Sequence, residues 1–352
     1  MAEELRALSW TGEALRLIDQ TSLPGRLAHL EVRDVDGLVG AVQRLAVRGA
    51  PVLGGVGAYG VAIALLQGAR EGWDPVALDA AIGRIREARP TAVNLAFGVD
   101  RVRPLIAAGV DAVVAEAGAL VAEDVAACHA IGVHGAGWIL ARTARRPLRV
   151  LTHCNAGSLA TCGRGTALGV IRELHALGAL EMVYADETRP LLQGSRLTAV
   201  ELAGDGIAYR LQADAAAAGT ILRGLADVAI IGADRIAANG DTANKVGSLG
   251  VALACADAGI PFVVAAPWST VDLATQTGDD IRIEERDEAE ILSFAGVRVA
   301  PDGARAFNPA FDVTPARLIT ALATETGVLE PAAGRTPDRG LAEAGKAGRP
   351  SS

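Results

Sequence analysis

A cysteine near the middle of the chain lies between a short apolar run and a segment of small residues. The mainly apolar residues 148–151 lead to His153 and Cys154, and a Gly/Ser/Thr-rich segment spans residues 157–166. A short apolar run predicts a buried strand, and the small-residue segment predicts a turn that enters a helix near Thr166. The Cys154 thiol is therefore expected at a strand end, beside backbone amides that can bind a phosphate.

The chemistry of this stretch leaves more than one candidate. A cysteine at such a strand end can be activated as a thiolate, but a buried cysteine is more often a small hydrophobic residue. Cys162 lies within the same glycine-rich turn and competes with Cys154 for a reactive role. His153 could act as a base, although alternation along a strand predicts that His153 and Cys154 face opposite sides.

A carboxylate, Asp234, ends a second apolar run that covers residues 228–231. A carboxyl group placed by a sheet and partly shielded by apolar walls can act as an acid or a base. A helix cap and an ion pair with Arg235 are the alternative interpretations. The polar segment 237–248 that follows favours a functional role for Asp234.

Two arginines of the N-terminal third precede predicted helix starts. Arg48 comes before the Gly/Ala-rich residues 49–66, an arrangement suited to anion binding by a guanidinium and backbone amides. Close helix packing through Gly and Ala is the alternative explanation of that segment. Arg89 comes before Pro90-Thr91, which predicts an extended turn, and a solvated surface arginine is the alternative interpretation there.

The elements that must position these groups alternate between strands and helices after residue 148. Such alternation predicts a mostly parallel, doubly wound sheet with right-handed crossovers. Ligands of such sheets bind at the carboxyl ends of the strands, so four polar turns are expected on one rim. The predicted strands are 149–153, 181–187, 208–211, 227–234, 261–267 and 297–300; the predicted helices are 168–177, 197–203, 213–225, 247–258 and 315–326; the four turns are 153–155, 186–189, 232–235 and 267–270.

The N-terminal part has a different pattern. Short strands with turns are predicted up to about residue 34, and the boundary between domains is expected within a long helical connection. The resulting division is an N-terminal domain, 1–130, a Rossmann-like domain, 131–330, and a disordered tail, 331–352. The predicted N-terminal helices are 34–46, one from about 49 to 66, 75–88 and a helical stretch 111–144 that is interrupted near residues 132–137.

Composition limits the classes of protein. Hydrophobic residues make up 51% of the 352 residues and aromatic residues 3%, which is typical of a parallel α/β core. The net charge of −8 disfavours a nucleic-acid-binding protein. No signal peptide or membrane span is predicted, and the four cysteines show no CxxC spacing. We therefore expect a cytoplasmic protein without a structural metal and without a nucleic-acid or membrane partner.

Six motifs in a fixed order resemble those of the family that contains the methylthioribose-1-phosphate isomerases and the regulatory subunits of the eukaryotic initiation factor 2B exchange factor. The likeness covers roughly residues 18–329. The motifs are RGAPVLGGVGAYG (48–60), RPTAVNL (89–95), THCNAGSLATCGRGTALGVI (152–171), YADETRPLLQGSRLTAVEL (184–202), GADRIAANGDTANKVGSLG (232–250) and IEERDEAEI (283–291).

This resemblance implies a two-domain fold, an N-terminal domain followed by a Rossmann-like one, and a homodimer. It implies interconversion of 5-methylthioribose 1-phosphate and 5-methylthioribulose 1-phosphate in methionine salvage, with no cofactor. The family's catalytic positions fall on Cys154 and Asp234, and Cys162 matches a variable position. The substrate-binding positions fall on Arg48, Gly49, Ala50, Arg89, Gln193, Asn244 and Lys245.

The implied reaction suits these residue types. A 1-phosphorylated furanose cannot open spontaneously, because its anomeric oxygen is blocked. We expect Asp234, kept protonated by an apolar setting, to donate a proton to the ring oxygen while Cys154 assists hydrogen transfer from C2 to C1. Arg48 and Arg89 would bind the phosphate, with help from amides of the glycine-rich turn.

Other functions remain as alternatives at this point. An isomerase of 5-deoxyribose 1-phosphate or ribose 1,5-bisphosphate would use the same fold. A noncatalytic subunit that binds a sugar phosphate or nucleotide is an alternative from another class of protein. A nicotinamide-dependent dehydrogenase is disfavoured, since Gly163-Arg164-Gly165 does not continue as the dinucleotide-binding GxGxxG turn.

Overall fold

The computed structural model describes residues 5–89 and 93–339, which belong to two compact units. Unit 1 comprises the chain up to His129 together with Ala156–Gly169, and unit 2 comprises Ala130–Asn155 and the chain from Val170 onward. The sequence-based division differs at the glycine-rich turn, which it assigned to the second domain. That turn packs within unit 1, because Ala160 accepts a hydrogen bond from the Val52 amide.

Unit 1 contains a small antiparallel sheet and a set of helices. The sheet consists of β1 (Leu8–Trp10), β2 (Leu15–Ile18) and β3 (His29–Val32), in the order β1-β2-β3. These are the short strands predicted near the N-terminus. The helices are α1 (Val35–Gln43), α2 (Ala50–Glu71), α3 (Pro75–Arg86), α4 (Val93–Val102) and the first part of α5 (Val110–Arg142).

Helix α2 is the centre of the core of unit 1. It is long and apolar enough to cross a membrane, but 78% of its most apolar window is buried, as in a core helix. A Cβ at Gly98 of α4 would collide with the backbone of Gly54 in α2. The small residues of α2 therefore serve close packing of the two helices.

Helix α5 is continuous from Val110 to Arg142, so the predicted interruption near residues 132–137 is wrong. A Cβ at Gly135 would lie 2.6 Å from a methyl carbon of Val170. The glycine at this position thus allows a close contact with the helix that contains Val170, and it does not end α5. Here the packing of α5 outweighs the low helix propensity of glycine.

Unit 2 is organised around a seven-stranded sheet, in the order β16-β15-β10-β7-β4-β5-β6. All neighbours are parallel except β15 and β16. The strand order reverses between β4 and β7, so the predicted Rossmann-like, mostly parallel doubly wound sheet is confirmed. The strands are β4 (Leu148–Thr152), β5 (Leu180–Asp186), β6 (Tyr209–Gln212), β7 (Val228–Ile231), β10 (Phe262–Ala265), β15 (Ala321–Thr324) and β16 (Gly327–Leu329).

Smaller elements complete unit 2. A second sheet has the order β11-β8-β9-β14, and β12 pairs with β13 in a hairpin. The strands are β8 (Arg235–Ala237), β9 (Thr242–Lys245), β11 (Val271–Asp272), β12 (Ser293–Phe294), β13 (Val297–Arg298) and β14 (Phe311–Thr314). The helices are α6 (Ala167–Ala176), which begins in unit 1, α7 (Ala199–Gly204), α8 (Ala217–Leu222), α9 (Ser248–Ala258) and α10 (Ala289–Leu292).

Two predictions near the C-terminus are wrong. Residues 315–326 form a short 3-10 turn followed by the buried strand β15, because pairing with β10 and β16 outweighs helix propensity. Residues 331–339, predicted to be disordered, pack on unit 2: Ala332 donates a backbone hydrogen bond to Ile319, and Asp338 donates one to Ala238. The rest of the predicted tail, 340–352, lies outside the described residues.

Candidate active site

Cys154 lies in the turn that directly follows β4, and its backbone is strained. Its φ is +67°, a left-handed conformation that non-glycine residues rarely adopt, and its side chain is 8% exposed. The Cys154 amide donates to Thr188 Oγ1 at 2.9 Å, and its carbonyl accepts from Thr198 Oγ1 at 2.7 Å. Two buried threonines thus hold the thiol-bearing residue in a conformation it would not adopt alone.

The turn after β5 is strained in the same way. Thr188 and Leu192 also have left-handed φ values, of 64° and 58°. Asp214 stabilises this turn, because its carboxylate accepts hydrogen bonds from the Thr188 and Arg189 amides, both at 2.7 Å. Strain that is concentrated in neighbouring turns and held by surrounding bonds is typical of functional sites.

Asp234 follows β7 and opens a hairpin made of β8 and β9. Its amide donates to the Ala243 carbonyl at 2.9 Å, so the hairpin brings Asp234 next to Asn244. The Thr152 hydroxyl donates to the Ile230 carbonyl at 2.8 Å, which ties the ends of β4 and β7 together. Cys154 and Asp234 therefore leave two adjacent parallel strands at the point where the strand order reverses, which is the usual ligand position in such sheets.

Asn244 and Lys245 end β9 and are both buried, with exposed fractions of 4% and 8%. Asn244 Nδ2 donates to Ser248 Oγ at 2.8 Å. Lys245 Nζ donates to the Ala310 carbonyl and lies 4.3 Å from the ring centroid of Phe311. A buried ammonium held in this way provides a fixed positive charge at the hairpin that carries Asp234.

Gln193 precedes one π-helical turn, Gly194–Thr198, and is 5% exposed. Its Oε1 atom has no hydrogen-bond partner among the residues that the structure describes. A buried amide oxygen without a partner is costly, so a ligand that donates a hydrogen bond to it would be favoured. π-Helical turns are also frequent at functional sites.

A buried pair beside Cys154 was not predicted as a pair. His153 Nδ1 lies 2.9 Å from Asp186 Oδ2, and His153 Nε2 lies 2.9 Å from the Val246 carbonyl oxygen. That carbonyl can only accept, so Nε2 carries a proton, and a second proton lies between Nδ1 and Asp186. Burial alone would lower the pKa of His153, but the hydrogen bond and charge of Asp186 outweigh burial and raise the pKa.

Cys162 has the surroundings of an unreactive thiol. Its amide donates to Asp124 Oδ2 at 2.7 Å, and its Sγ packs against Gly55. Burial and the negative charge of Asp124 raise the pKa of the Cys162 thiol, which opposes thiolate formation. Cys128 and Cys255 are also buried, and burial raises their thiol pKa values as well.

The predicted phosphate-binding residues belong to unit 1. Arg48 Nε donates to Gln20 Oε1 at 3.3 Å, and Gln20 Nε2 donates to the Leu159 carbonyl at 2.7 Å. Gly49, with a φ of 117°, packs against Ala160, where any side chain would collide, and Ala50 starts α2. The glycine-rich turn is thus bound to the start of α2. Arg89 is half-buried, whereas Pro90 and Thr91 of its predicted turn lie outside the described residues.

His153, Asp186 and Asp214 also form a group whose potential ligand atoms lie within 4.8 Å of one another. Both ring nitrogens of His153 are bonded within the protein, and the Asp214 carboxylate accepts two backbone amides. These atoms are satisfied without a metal ion. We therefore assign no cation to this group.

Comparison with known proteins identifies the family of this chain. The model of the initiation factor 2 subunit family matches residues 46–331. The chain belongs to this family. One relative in it, the methylthioribose-1-phosphate isomerase of Gloeobacter violaceus, is 49% identical over 333 residues, which are 93% of this chain and 94% of the relative. That of Anaeromyxobacter dehalogenans is 51% identical over 317 residues, 90% of this chain and 91% of the relative. The predicted resemblance to the isomerase group is confirmed.

The chain is also similar to a longer relative and to two solved structures. A probable bifunctional methylthioribose-1-phosphate isomerase/methylthioribulose-1-phosphate dehydratase of Nocardia farcinica is 52% identical over 92% of this chain, which spans 59% of its length. The 5-methylthioribose 1-phosphate isomerase of Pyrococcus horikoshii has a TM-score of 0.86 and 36% identity, covering 98% of this chain and 97% of that chain. An initiation factor 2B delta subunit from A. fulgidus has a TM-score of 0.84 and 40% identity, covering 96% and 100%.

Several residues that shape the site in this family member carried no clear sequence signal. Thr188 accepts a hydrogen bond from the Cys154 amide, and Gln20 bonds to both Arg48 and Leu159. A lone threonine or glutamine in the sequence predicts no such contact with distant residues. Asp186 lay in a predicted rim turn next to the turn of His153. The sequence signal for the His153–Asp186 pair was that both residues lie at the ends of neighbouring predicted strands.

Proposed function

We propose that the protein is an aldose–ketose isomerase that converts 5-methylthioribose 1-phosphate to 5-methylthioribulose 1-phosphate in methionine salvage. The observation that carries this proposal is the position of Cys154 and Asp234 after the adjacent strands β4 and β7, where the sheet order reverses. The identity of about half the residues with isomerases of the same length supports it.

In the proposed mechanism Asp234 donates a proton to the ring oxygen, and the furanose C–O bond breaks while the phosphate stays in place. Cys154 then assists transfer of hydrogen from C2 to C1, and the C2 hydroxyl loses its proton as the C2 carbonyl forms, which yields the ketose and balances the proton that Asp234 donated. The strained turn supports this role, because it fixes the thiol without an ordering cost at the moment of reaction.

Substrate binding is assigned by the family resemblance and supported by the chemistry of the residues. We propose that Arg48 and Arg89 bind the phosphate, with Gly49 and Ala50 beside Arg48 offering small residues for a close approach. Three further groups, from Gln193, Asn244 and Lys245, would bind the sugar hydroxyls or phosphate. The Gln193 carbonyl oxygen suits a hydroxyl donor, because it has no partner in the described part of the chain.

The test is turnover by the purified full-length chain on three substrates. We expect conversion of 5-methylthioribose 1-phosphate with a kcat/KM at least about tenfold above those for 5-deoxyribose 1-phosphate and ribose 1,5-bisphosphate. If the enzyme prefers one of the other two sugars, the assigned substrate is wrong but the assigned reaction class, aldose–ketose isomerisation, still holds. The likeness to an initiation factor 2B delta subunit favours a noncatalytic binding role as the second candidate. Absence of turnover on all three sugars would support that role.

The route of hydrogen transfer can be read from the same assay in deuterium oxide. A proton transfer through an enol phosphate exchanges with solvent and would place deuterium in the product at C1. A hydride transfer would retain the C2 hydrogen of the substrate. Measuring the deuterium content of the product by NMR distinguishes these two forms of the proposed reaction.

A further inference from the structure

The imidazole of His153 connects three elements of unit 2 although it is only 1% exposed. It follows β4 directly, so its backbone is continuous with that of Cys154. Its ring contacts the end of β5 through Asp186 and the residue after β9 through Val246. Few side chains could link these three strand ends at once.

The contact with Val246 fixes the hairpin that carries Asp234. Val246 comes directly after Lys245, the last residue of β9, and Gly247 packs on the imidazole so closely that a Cβ would lie 2.8 Å from His153 Cε1. Asp312 also binds this loop, because its carboxylate accepts from the Gly247 amide at 2.7 Å and from the Leu249 amide at 3.1 Å. The loop after β9 is therefore held by both the imidazole and the Asp312 carboxylate.

The contact with Asp186 fixes the turn that carries Cys154. The Asp186 carbonyl accepts from the Thr188 hydroxyl at 3.1 Å, and the same hydroxyl oxygen accepts the Cys154 amide. The Asp186 carboxylate is itself held by Gln212 Nε2 at 2.8 Å, and Thr220 donates to Gln212. The carboxylate thus has a fixed place from which it orients the imidazole.

Because both imidazole nitrogens are already bonded, His153 has no free nitrogen with which to accept a proton from a substrate. We propose that His153, held by Asp186, is a positioning residue that sets the separation between Cys154 and the β8–β9 hairpin that carries Asp234. This role rests on the proposed isomerase function of the same site. Displacement of reacting groups by even 1 Å is costly, so the bonds of one imidazole can control the rate.

Two substitutions separate the two contacts of the imidazole. In His153→Asn the amide can reach Asp186 but not Val246, and in His153→Gln it can reach Val246 but not Asp186. We expect both substitutions to lower kcat by about 10- to 100-fold, since each removes one of the two hydrogen bonds by which the imidazole holds Asp186 and Val246. Asp186→Asn keeps every bond, because its amide nitrogen can donate to Nδ1 and its oxygen can accept from Gln212, so it should retain most of the activity.

The matched control breaks a comparable interaction at the other end of the same strand. Arg149 of β4 pairs with Asp227 at 2.9 Å, and both side chains are 15% exposed. Asp227→Asn should lower the unfolding midpoint but change kcat by less than about twofold. The proposal is overturned if the folded His153 variants keep the wild-type kcat and KM, or if Asp227→Asn loses as much activity as they do.

A second readout keeps this test independent of the substrate assignment. The rate at which iodoacetamide alkylates Cys154, followed by mass spectrometry of the Cys154 peptide, should change by at least about fivefold in His153→Gln. If the wild type turns over none of the sugars, the proposed function fails, yet an unchanged alkylation rate would still overturn the positioning role. Should the histidine variants not fold, Thr188→Val removes the hydroxyl that links Asp186 to Cys154 and must lower kcat or the alkylation rate likewise.

Discussion

Cys154 occupies a left-handed backbone conformation that costs about 1–3 kcal/mol for a residue with a side chain. The cost is offset by bonds from Thr188 and Thr198, so the turn is determined by its surroundings. Such an arrangement is expected where the direction of one side chain matters more than local stability. The neighbouring Thr188 turn has the same property, which makes the two turns one strained structure.

The contrast between Cys154 and Cys162 gives a prediction. We expect Cys162→Ala to keep kcat within about twofold of the wild type, because the Cys162 thiol has a raised pKa and packs beside Asp124. Steady-state turnover and the unfolding midpoint should be measured together. A loss of kcat comparable to that of a Cys154 variant, in a protein with wild-type stability, would contradict the assignment.

At the scale of elements, the close approach of α2 and α4 defines the core of unit 1. A Cβ at Gly98 would collide with the Gly54 carbonyl, whereas a Cβ at Gly83 of α3 would meet no heavy atom within 4 Å among the described residues outside its own stretch of helix. The two glycines therefore differ in whether packing requires them. One is required by packing, and the other is an ordinary helix-weakening residue.

We therefore expect Gly98→Ala to lower the free energy of unfolding by about 1–3 kcal/mol or more, because α4 must move away from α2. Gly83→Ala is the matched control and should raise the free energy of unfolding by up to about 1 kcal/mol. Chemical denaturation of both variants measures the difference. Equal effects of the two substitutions would show that the helices do not depend on this contact.

The His153–Asp186 pair links β4 to β5 and makes stability depend on pH. The folded pKa of His153 is raised, so the folded state binds the imidazole proton more tightly than the unfolded chain. The free energy of unfolding should therefore fall as the pH rises above about 6.5, with a slope of at most about 1.4 kcal/mol per pH unit for one proton.

Urea denaturation between pH 6 and pH 9 would measure this slope, with the pH range chosen around the ordinary histidine pKa of about 6.5. Asp186→Asn should flatten it, because its amide favours the neutral imidazole in the folded state. Asp214, Asp312 and, beyond Asp312, Lys245 are the other charged groups near the ring, and all three are kept in this variant. An unchanged slope in Asp186→Asn would contradict the paired protonation.

At the scale of the whole molecule, the sequence predicted the parallel sheet because buried strands and helices alternate visibly along unit 2. It failed where tertiary contacts override local preference. Residues 321–324 were predicted to be helical but form a buried strand of the sheet. The glycines of residues 132–137 were predicted to interrupt a helix but lie within the continuous helix α5. The glycine-rich turn was recognised, but its place in unit 1 depends on contacts with Gly49 and Val52.

The candidate site shows the same limit. Cys154 and Asp234 could be predicted because each follows an apolar strand, and strand ends are where ligands bind. Thr188, Asp186 and Gln20 could not, because their roles depend on which distant groups the fold brings to them. The homodimer and the cytoplasmic location stay predictions.

The catalytic roles of Cys154 and Asp234 are tested most directly by the turnover of 5-methylthioribose 1-phosphate in Cys154→Ser and Asp234→Asn. Each variant is compared with the wild type, and substrate binding to each is measured by calorimetry. We expect kcat to fall by at least about 10³-fold in each variant while the substrate Kd changes by less than about fivefold. A Cys154→Ser or Asp234→Asn enzyme with near wild-type kcat would contradict the assignment of these two residues as the catalytic pair.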